Sequence, residues 1–332
     1  MQPHPPLIFA CELDIPELVK LFSRDAVLDS LKSLEAGIAM GLRDLTPQRA
    51  EVVQKLNQAG IPVTAWLLLP IQQGYWFNLD NFPAAEQRYR DFLEWSSQFN
   101  LTWQRVGLDI EPDIHFIQEF KHGFLAGLSS LVSKARKRKS NQKVQGQYLG
   151  LVHQIRRDGF EVESYQFPFI LDARRTNSHL LQALSGILDL PVDHEVLMLY
   201  SSFERPFGPA LLRSYGIEAQ AVGIGSTGGG VDLEGVTDTH PMTWDEFKQD
   251  LLSAGRMNKD IFVFSLEGCL QQGYLEKLGR LDWDERPRAA RFARQVGIGR
   301  DILQGILWLS ARPWIALFAL PPILIWIRRK RQ

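Results

Sequence analysis

Cysteine is almost missing from this chain: its 332 residues include only Cys11 and Cys269. Both lie in or beside apolar stretches, so they read as reduced core residues, and no disulfide framework is expected. A net field of one sign is missing too. Lysine plus arginine (37) nearly balances aspartate plus glutamate (38), which argues against nucleic acid as a partner. The first residues, MQPHPPLIFACELDIPE, have no basic run, and their apolar stretch stops at Glu12. That is too short for the core of a signal peptide, so a cytoplasmic barrel is expected. CELDIPE offers no glycine where an open dinucleotide-binding sheet carries G-x-G-x-x-G. No serine sits in a G-x-S-x-G elbow and no lysine lies inside a strand, which disfavours serine-hydrolase and Schiff-base chemistry. The histidines do not cluster: His115 and His240 fall in loops and His194 begins a strand. No metal or other cofactor is therefore expected.

What is present is a repeat of short aliphatic runs, each followed by a turn and a helical stretch. The runs are Leu7 to Glu12, Ala36 to Gly41, Pro62 to Leu68, Gln104 to Glu111, Glu161 to Phe167, Glu195 to Ser201, Ala219 to Gly225 and Asp260 to Glu267. Between them, segments such as TPQRAEVVQKLNQAG place a threonine cap, a first-turn proline and a closing glycine where a helix needs them. Eight such units over residues 1–284 predict an α/β fold, a single (β/α)8 TIM-type barrel.

Beyond residue 284 the character changes. Residues 285–301 carry Arg286, Arg288, Arg291, Arg294 and Arg300 and read as a basic linker or amphipathic helix. Residues 302–332 form an apolar tail with a basic end. From Leu303 to Ile327 the single charge is Arg312, a length that matches a hydrocarbon core of about 30 Å. Trp308, Trp314 and Trp326 with flanking arginines favour a membrane segment over a buried helix of the barrel. Pro313, Pro321 and Pro322 favour a bent hairpin that keeps both basic flanks on one side. The run KARKRKSNQK reads as the solvated C-terminal end of a helix.

In a barrel of this type chemistry sits at the C-terminal ends of the strands, and four carboxylates are expected there: Glu12, Asp109, Glu111 and Glu267. In QRVGLDIE, alternation sends Val106, Leu108 and Ile110 to the helices and Gly107, Asp109 and Glu111 to the axis. The same parity places Glu12 with Ala10, and Glu267 with Ser265 and Val263. Like charges two residues apart raise one pKa, which keeps a carboxyl protonated as a general acid. The structural alternative is an ion pair with Arg43 or Arg105. At the end of the third strand and in the loop after it, Trp66, Tyr75 and Trp76 stand with Gln72 and Asn78, a mixture of flat rings and amides that suits a sugar. Tyr165 and Tyr200 are expected to face inward and donate hydrogen bonds.

GLDIE at the fourth strand end and a tyrosine ending the sixth strand in MLYSS resemble the catalytic pattern of family 18 chitinases and related (β/α)8-barrel glycoside hydrolases. The resemblance implies Glu111 as proton donor, Asp109 as its partner and Tyr200 as the sixth-strand tyrosine. Gly107 departs from that family, which carries a further aspartate there and uses the substrate's N-acetyl group as nucleophile. A retaining route with Glu267 as nucleophile is the alternative, since such carboxyl pairs lie about 5 Å apart. A carbohydrate substrate is thus the leading expectation, for a membrane-associated hydrolase. A metal-dependent isomerase or lyase acting on a phosphorylated sugar is the second, motivated by the glycine-rich GIGSTGGGVD, which also reads as a flexible lid. A non-catalytic barrel that binds a glycan or lipid headgroup is the third.

Overall fold

The apolar runs form eight parallel strands: β1 (Leu7–Cys11), β2 (Gly37–Leu42), β3 (Val63–Leu67), β4 (Arg105–Asp109), β5 (Glu161–Gln166), β6 (His194–Met198), β7 (Ala221–Gly225) and β8 (Asp260–Phe264). They pair in chain order, and β8 closes on β1 with Ala10 opposite Phe264, making one eight-stranded barrel. The computed structural model describes residues 4–111, 138–229, 240–257 and 259–312. Alternation sorts the side chains into two cores. Phe9, Met40, Leu67, Leu108 and Val263 point outward to the helices, while Ile8, Ala39, Trp66, Tyr165, Met198 and Phe262 fill the barrel.

Caps explain where several helices begin. Pro47–Gln58 starts behind Thr46, whose side chain accepts from the Arg49 amide, and Trp244–Arg256 opens on a capping box of Thr243 and Glu246. The first of these helices also delivers Arg49 into the interior. Its guanidinium is fully buried and holds the carbonyls of Gly41 (2.9 Å) and Leu13 (3.1 Å) and the Asp44 carboxylate (2.7 Å). The tops of β1 and β2, and with them Glu12, are thereby pinned together.

The N-terminal end of the barrel holds a separate charged cluster. Glu163 is fully buried and meets Arg105 at 3.3 Å and the Tyr165 hydroxyl at 2.7 Å. His194 lies 3.3 Å from Glu163, an ion pair outside hydrogen-bond geometry, and 3.2 Å from Asp260. Burial by itself would lower the His194 pKa, but these two carboxylates carry it up to about 9. An unfolded histidine titrates near 6.5, so this stabilisation is complete below about pH 6.5 and is lost as pH rises through the folded value. His194→Gln should cost about 1–2 kcal/mol at about pH 6, after discounting for solvent screening, and little at about pH 10. Urea unfolding at both values checks this; equal losses would refute it.

Three expectations need correction. β8 ends at Phe264, and Ser265 caps a short helix, Leu266–Gln271, so Glu267 is a helical residue. Val263 points outward, hence strand parity does not place Glu267 on the axis. Residues 293–301 follow the helical alternative and not the linker: helix Ala293–Ser310 packs on Ile170–Thr176 and Gly208–Gly216. Arg138 and Lys139 lie in helix Arg138–Arg157, which continues well past them, so they do not close one. The other cations of that run up to Lys137, His115, Gly230, and the tail from Pro313 through Trp314, Pro321, Pro322 and Trp326 to the terminal arginines lie outside the described residues. Among the described residues, no helix is long and apolar enough to cross a membrane.

Candidate active site

Two strand ends bring three acids to one place. Glu12 follows β1 directly, Asp109 ends β4, and Glu111 stands two residues on, past a bridge between Ile110 and Phe77. All three line a cavity of about 1070 Å³ at the C-terminal face. The arginines considered as counter-ions are engaged elsewhere: Arg43 with Asp14 at 2.8 Å, Arg105 with Glu161 and Glu163.

Asp109 is 2% exposed. Its Oδ2 accepts from Trp66 Nε1 at 2.9 Å, while Oδ1 meets no N–H or hydroxyl donor. Its other hydrogen-bonding neighbour is the Glu111 carboxyl. Two carboxyls bond only when one carries a proton. Burial raises the pKa of Asp109, the Trp66 N–H opposes it, and the charge of Glu12 adds to it. For Glu111, burial and then the charges of Asp109 and Glu12 all push upward. Among the described residues only Asp109 has an N–H to stabilise its anion, so the shared proton belongs on Glu111.

Glu12 is fixed from two sides. The Tyr75 hydroxyl donates to its Oε1 at 2.5 Å, and its backbone N–H faces Glu267 Oε1 at 3.4 Å. Tyr75 adopts φ +62°, a costly conformation for a bulky side chain, in the loop that brings it beneath Glu12. Glu267 is buried behind Glu12 and does not line the cavity. Gly229 packs on it: at φ +83°, an added Cβ would lie 2.3 Å from Glu267 Cγ. That contact gives the glycine-rich loop a packing reason for at least one of its glycines.

The expected binding residues divide. Trp66, Trp76, Tyr165 and Tyr200 line the cavity. Tyr75 is buried under Glu12, Asn78 braces the loop through the Trp76 carbonyl at 3.3 Å, and Gln72 is exposed; these three do not line it. Tyr165 turns its hydroxyl down to Glu163, and its ring covers Gly107, where an added Cβ would come within 3.1 Å. A side chain at position 107 would require the Tyr165 ring to move aside. Tyr200 sits by the acids, and burial, then Glu111, Asp109 and Glu12, hold its pKa high, so its hydroxyl stays protonated.

Sequence reasoning missed the opposite wall. Phe167, Phe169 and Phe203 line it, with Arg205 paired to Glu246 at 2.9 Å. Ser201 also lines it and donates to the buried Asp250 at 2.5 Å, where burial pushes the carboxyl up to about 7. The aromatic strings QFPF and SSFERPF were the available signal, but loop residues carry no periodicity to orient them. Among the described residues, no group of three or more histidines, cysteines and acids is arranged to hold a metal.

No family model matches this chain, and no curated protein does. Among solved structures, the chain is similar to the PgaB (BpsB) glycoside hydrolase domain from Bordetella bronchiseptica, with 10% identity, 83% of this chain and 98% of that one covered, and a TM-score of 0.48. A GH5-4 broad specificity endoglucanase from an uncultured bacterium gives 11%, 80%, 84% and 0.43. The HMG-CoA lyase from Brucella melitensis gives 11%, 91%, 99% and 0.39. These proteins differ in chemistry, and the likeness is too low to choose among them. The choice rests on the site.

Proposed function

We propose that this chain is a (β/α)8-barrel O-glycoside hydrolase in which Glu111 protonates the glycosidic oxygen and Asp109 holds that proton in place. The observation that carries this reading is the buried Asp109 carboxyl beside the half-buried Glu111 carboxyl, both facing a large cavity with Glu12 alongside, an arrangement that favours one shared proton. The GLDIE resemblance to family 18 supports the same assignment. Trp66 and Trp76 offer rings on which the apolar face of a pyranose can rest. Glu12 lies on the cavity side and Glu267 does not, so Glu12 takes the second-carboxylate role, as base for water or as nucleophile. Tyr200 donates to the sugar at the reacting centre.

Hydrolysis of a panel of aryl glycosides and oligosaccharides tests this, with binding followed through tryptophan fluorescence. At least one substrate should turn over, at a rate that falls as pH rises through the elevated pKa of Glu111. Binding without turnover would instead support a non-catalytic barrel. Neither binding nor turnover across the panel would overturn the reading.

A further inference from the structure

Exposed large apolar side chains are unevenly placed. Among the described residues, all but Val19 and Ile71 belong to helices Ile170–Thr176, Gly208–Gly216 and Ala293–Ser310 or to the segments that flank them. The last helix explains most of them. Its inner face buries Val296 and Leu307 and ties Arg300 to Asp172 at 2.8 Å and to the Ser214 carbonyl at 2.9 Å. At 3.6 residues per turn, Ile298, Ile302, Ile306 and Leu309 fall together on the opposite face. They are 49, 59, 54 and 46% exposed. A helix that is apolar on two opposite faces is only half covered by the barrel.

The borders of this stripe indicate what covers the rest. Arg291 and Arg294 are exposed at one end. At the other, the Arg312 guanidinium lies 4.5 Å over the ring of Trp308. Arginine and tryptophan at the margins of an apolar stripe suit the boundary between lipid headgroups and acyl chains. Directly after Arg312 the sequence runs PWIALFALPPILIWI, fifteen residues without a charge, and then RRKR. The stripe is thus continuous in sequence with the most apolar segment of the chain.

We propose that this side of the protein lies flat on a lipid bilayer, with Ile298, Ile302, Ile306 and Leu309 in the acyl boundary. The helix runs the height of the barrel. Phe292, just before it, packs on Phe207 at the cavity end, and Ser310 bonds Ser178 (2.8 Å) at the other. The barrel axis therefore lies along the membrane. Phe169 and Phe203, both exposed and both lining the cavity, bring its rim to the lipid surface.

Single labelled cysteines in the full chain test this, because Cys11 and Cys269 are buried and leave the introduced thiol as the reactive one. Ile302→Cys and Ile306→Cys, each carrying an environment-sensitive nitrobenzoxadiazole dye, should brighten and shift to the blue on vesicles of phosphatidylethanolamine and phosphatidylglycerol. Val19→Cys, on another side, should not. Replacing Ile298, Ile302 and Ile306 together by serine should reduce vesicle partitioning by on the order of 10-fold or more, with the thermal transition unchanged. Binding with a water-like dye at position 302 would show that the tail alone holds the protein, and would overturn the proposal. So would no binding, or a blue shift without lipid that tracks self-association, which would assign the stripe to a second copy.

Discussion

Glu111→Gln should lower kcat by about 10²- to 10⁴-fold while KM changes little, because glutamine keeps the shape of the side chain but supplies no acidic proton. The loss should depend on the leaving group. A nitrophenolate leaves without help, so aryl glycosides should suffer least, while sugar or alkyl leaving groups need the proton and should suffer most. Ligand-induced change in tryptophan fluorescence should persist, since Trp66 and Trp76 are untouched. Rates on both leaving-group classes decide the matter: unchanged activity, or an equal loss for both, would remove Glu111 from the role of acid.

Asp109→Asn is expected to produce a more stable protein with little activity. Burial, more than the charge of Glu12, raises the pKa of Asp109, so although it is the better anion of the pair, its charge costs the fold stability. The unfolded chain ionises this group near pH 4, and stability is lost as pH rises from there through the higher folded value. Asparagine removes that loss at neutral pH; it still accepts from Trp66 Nε1 and can donate to Glu111. A gain of about 1–2 kcal/mol is expected, which at roughly 2–4 °C per kcal/mol raises Tm by several degrees. Turnover should fall by about 10²-fold or more, because the group that orients the acid no longer carries charge. Calorimetry at about pH 4 and pH 7.5 checks the sign, since the advantage should vanish at the lower value. A lower Tm at about pH 7.5 would mean that burying the Asp109 charge costs the fold nothing and that its pKa is not raised.

The tyrosines illustrate how a site can be half legible. Tyr165 and Tyr200 occupy inward positions that strand alternation identifies, and both line the cavity. Only the structure shows that the Tyr165 hydroxyl donates a hydrogen bond to Glu163 at the far end of the barrel, leaving Tyr200 beside the acids. Tyr75 presents the converse case. Its place in an aromatic loop suggests ligand contact, yet a left-handed backbone turns it beneath Glu12, where it bonds the carboxylate.

By itself the sequence determined the repeat of strand and helix, the eight strands to within three residues at their ends, and the inward parity of Asp109 and Glu111. These follow from backbone periods of 2 and 3.6 residues, which local spacing records. Tertiary structure decided the rest. Glu267 lies past the end of β8, where the period changes from strand to helix and parity no longer predicts direction. The elevated pKa values depend on burial and on charges brought together from positions 12, 109 and 111, and Gly107 is understood only with the ring of Tyr165 above it. The same holds for helix Ala293–Ser310, whose apolar residues point both ways. Spacing shows two stripes, but only packing against the barrel decides which is buried and which is left for a partner, because burial depends on what the rest of the chain places alongside.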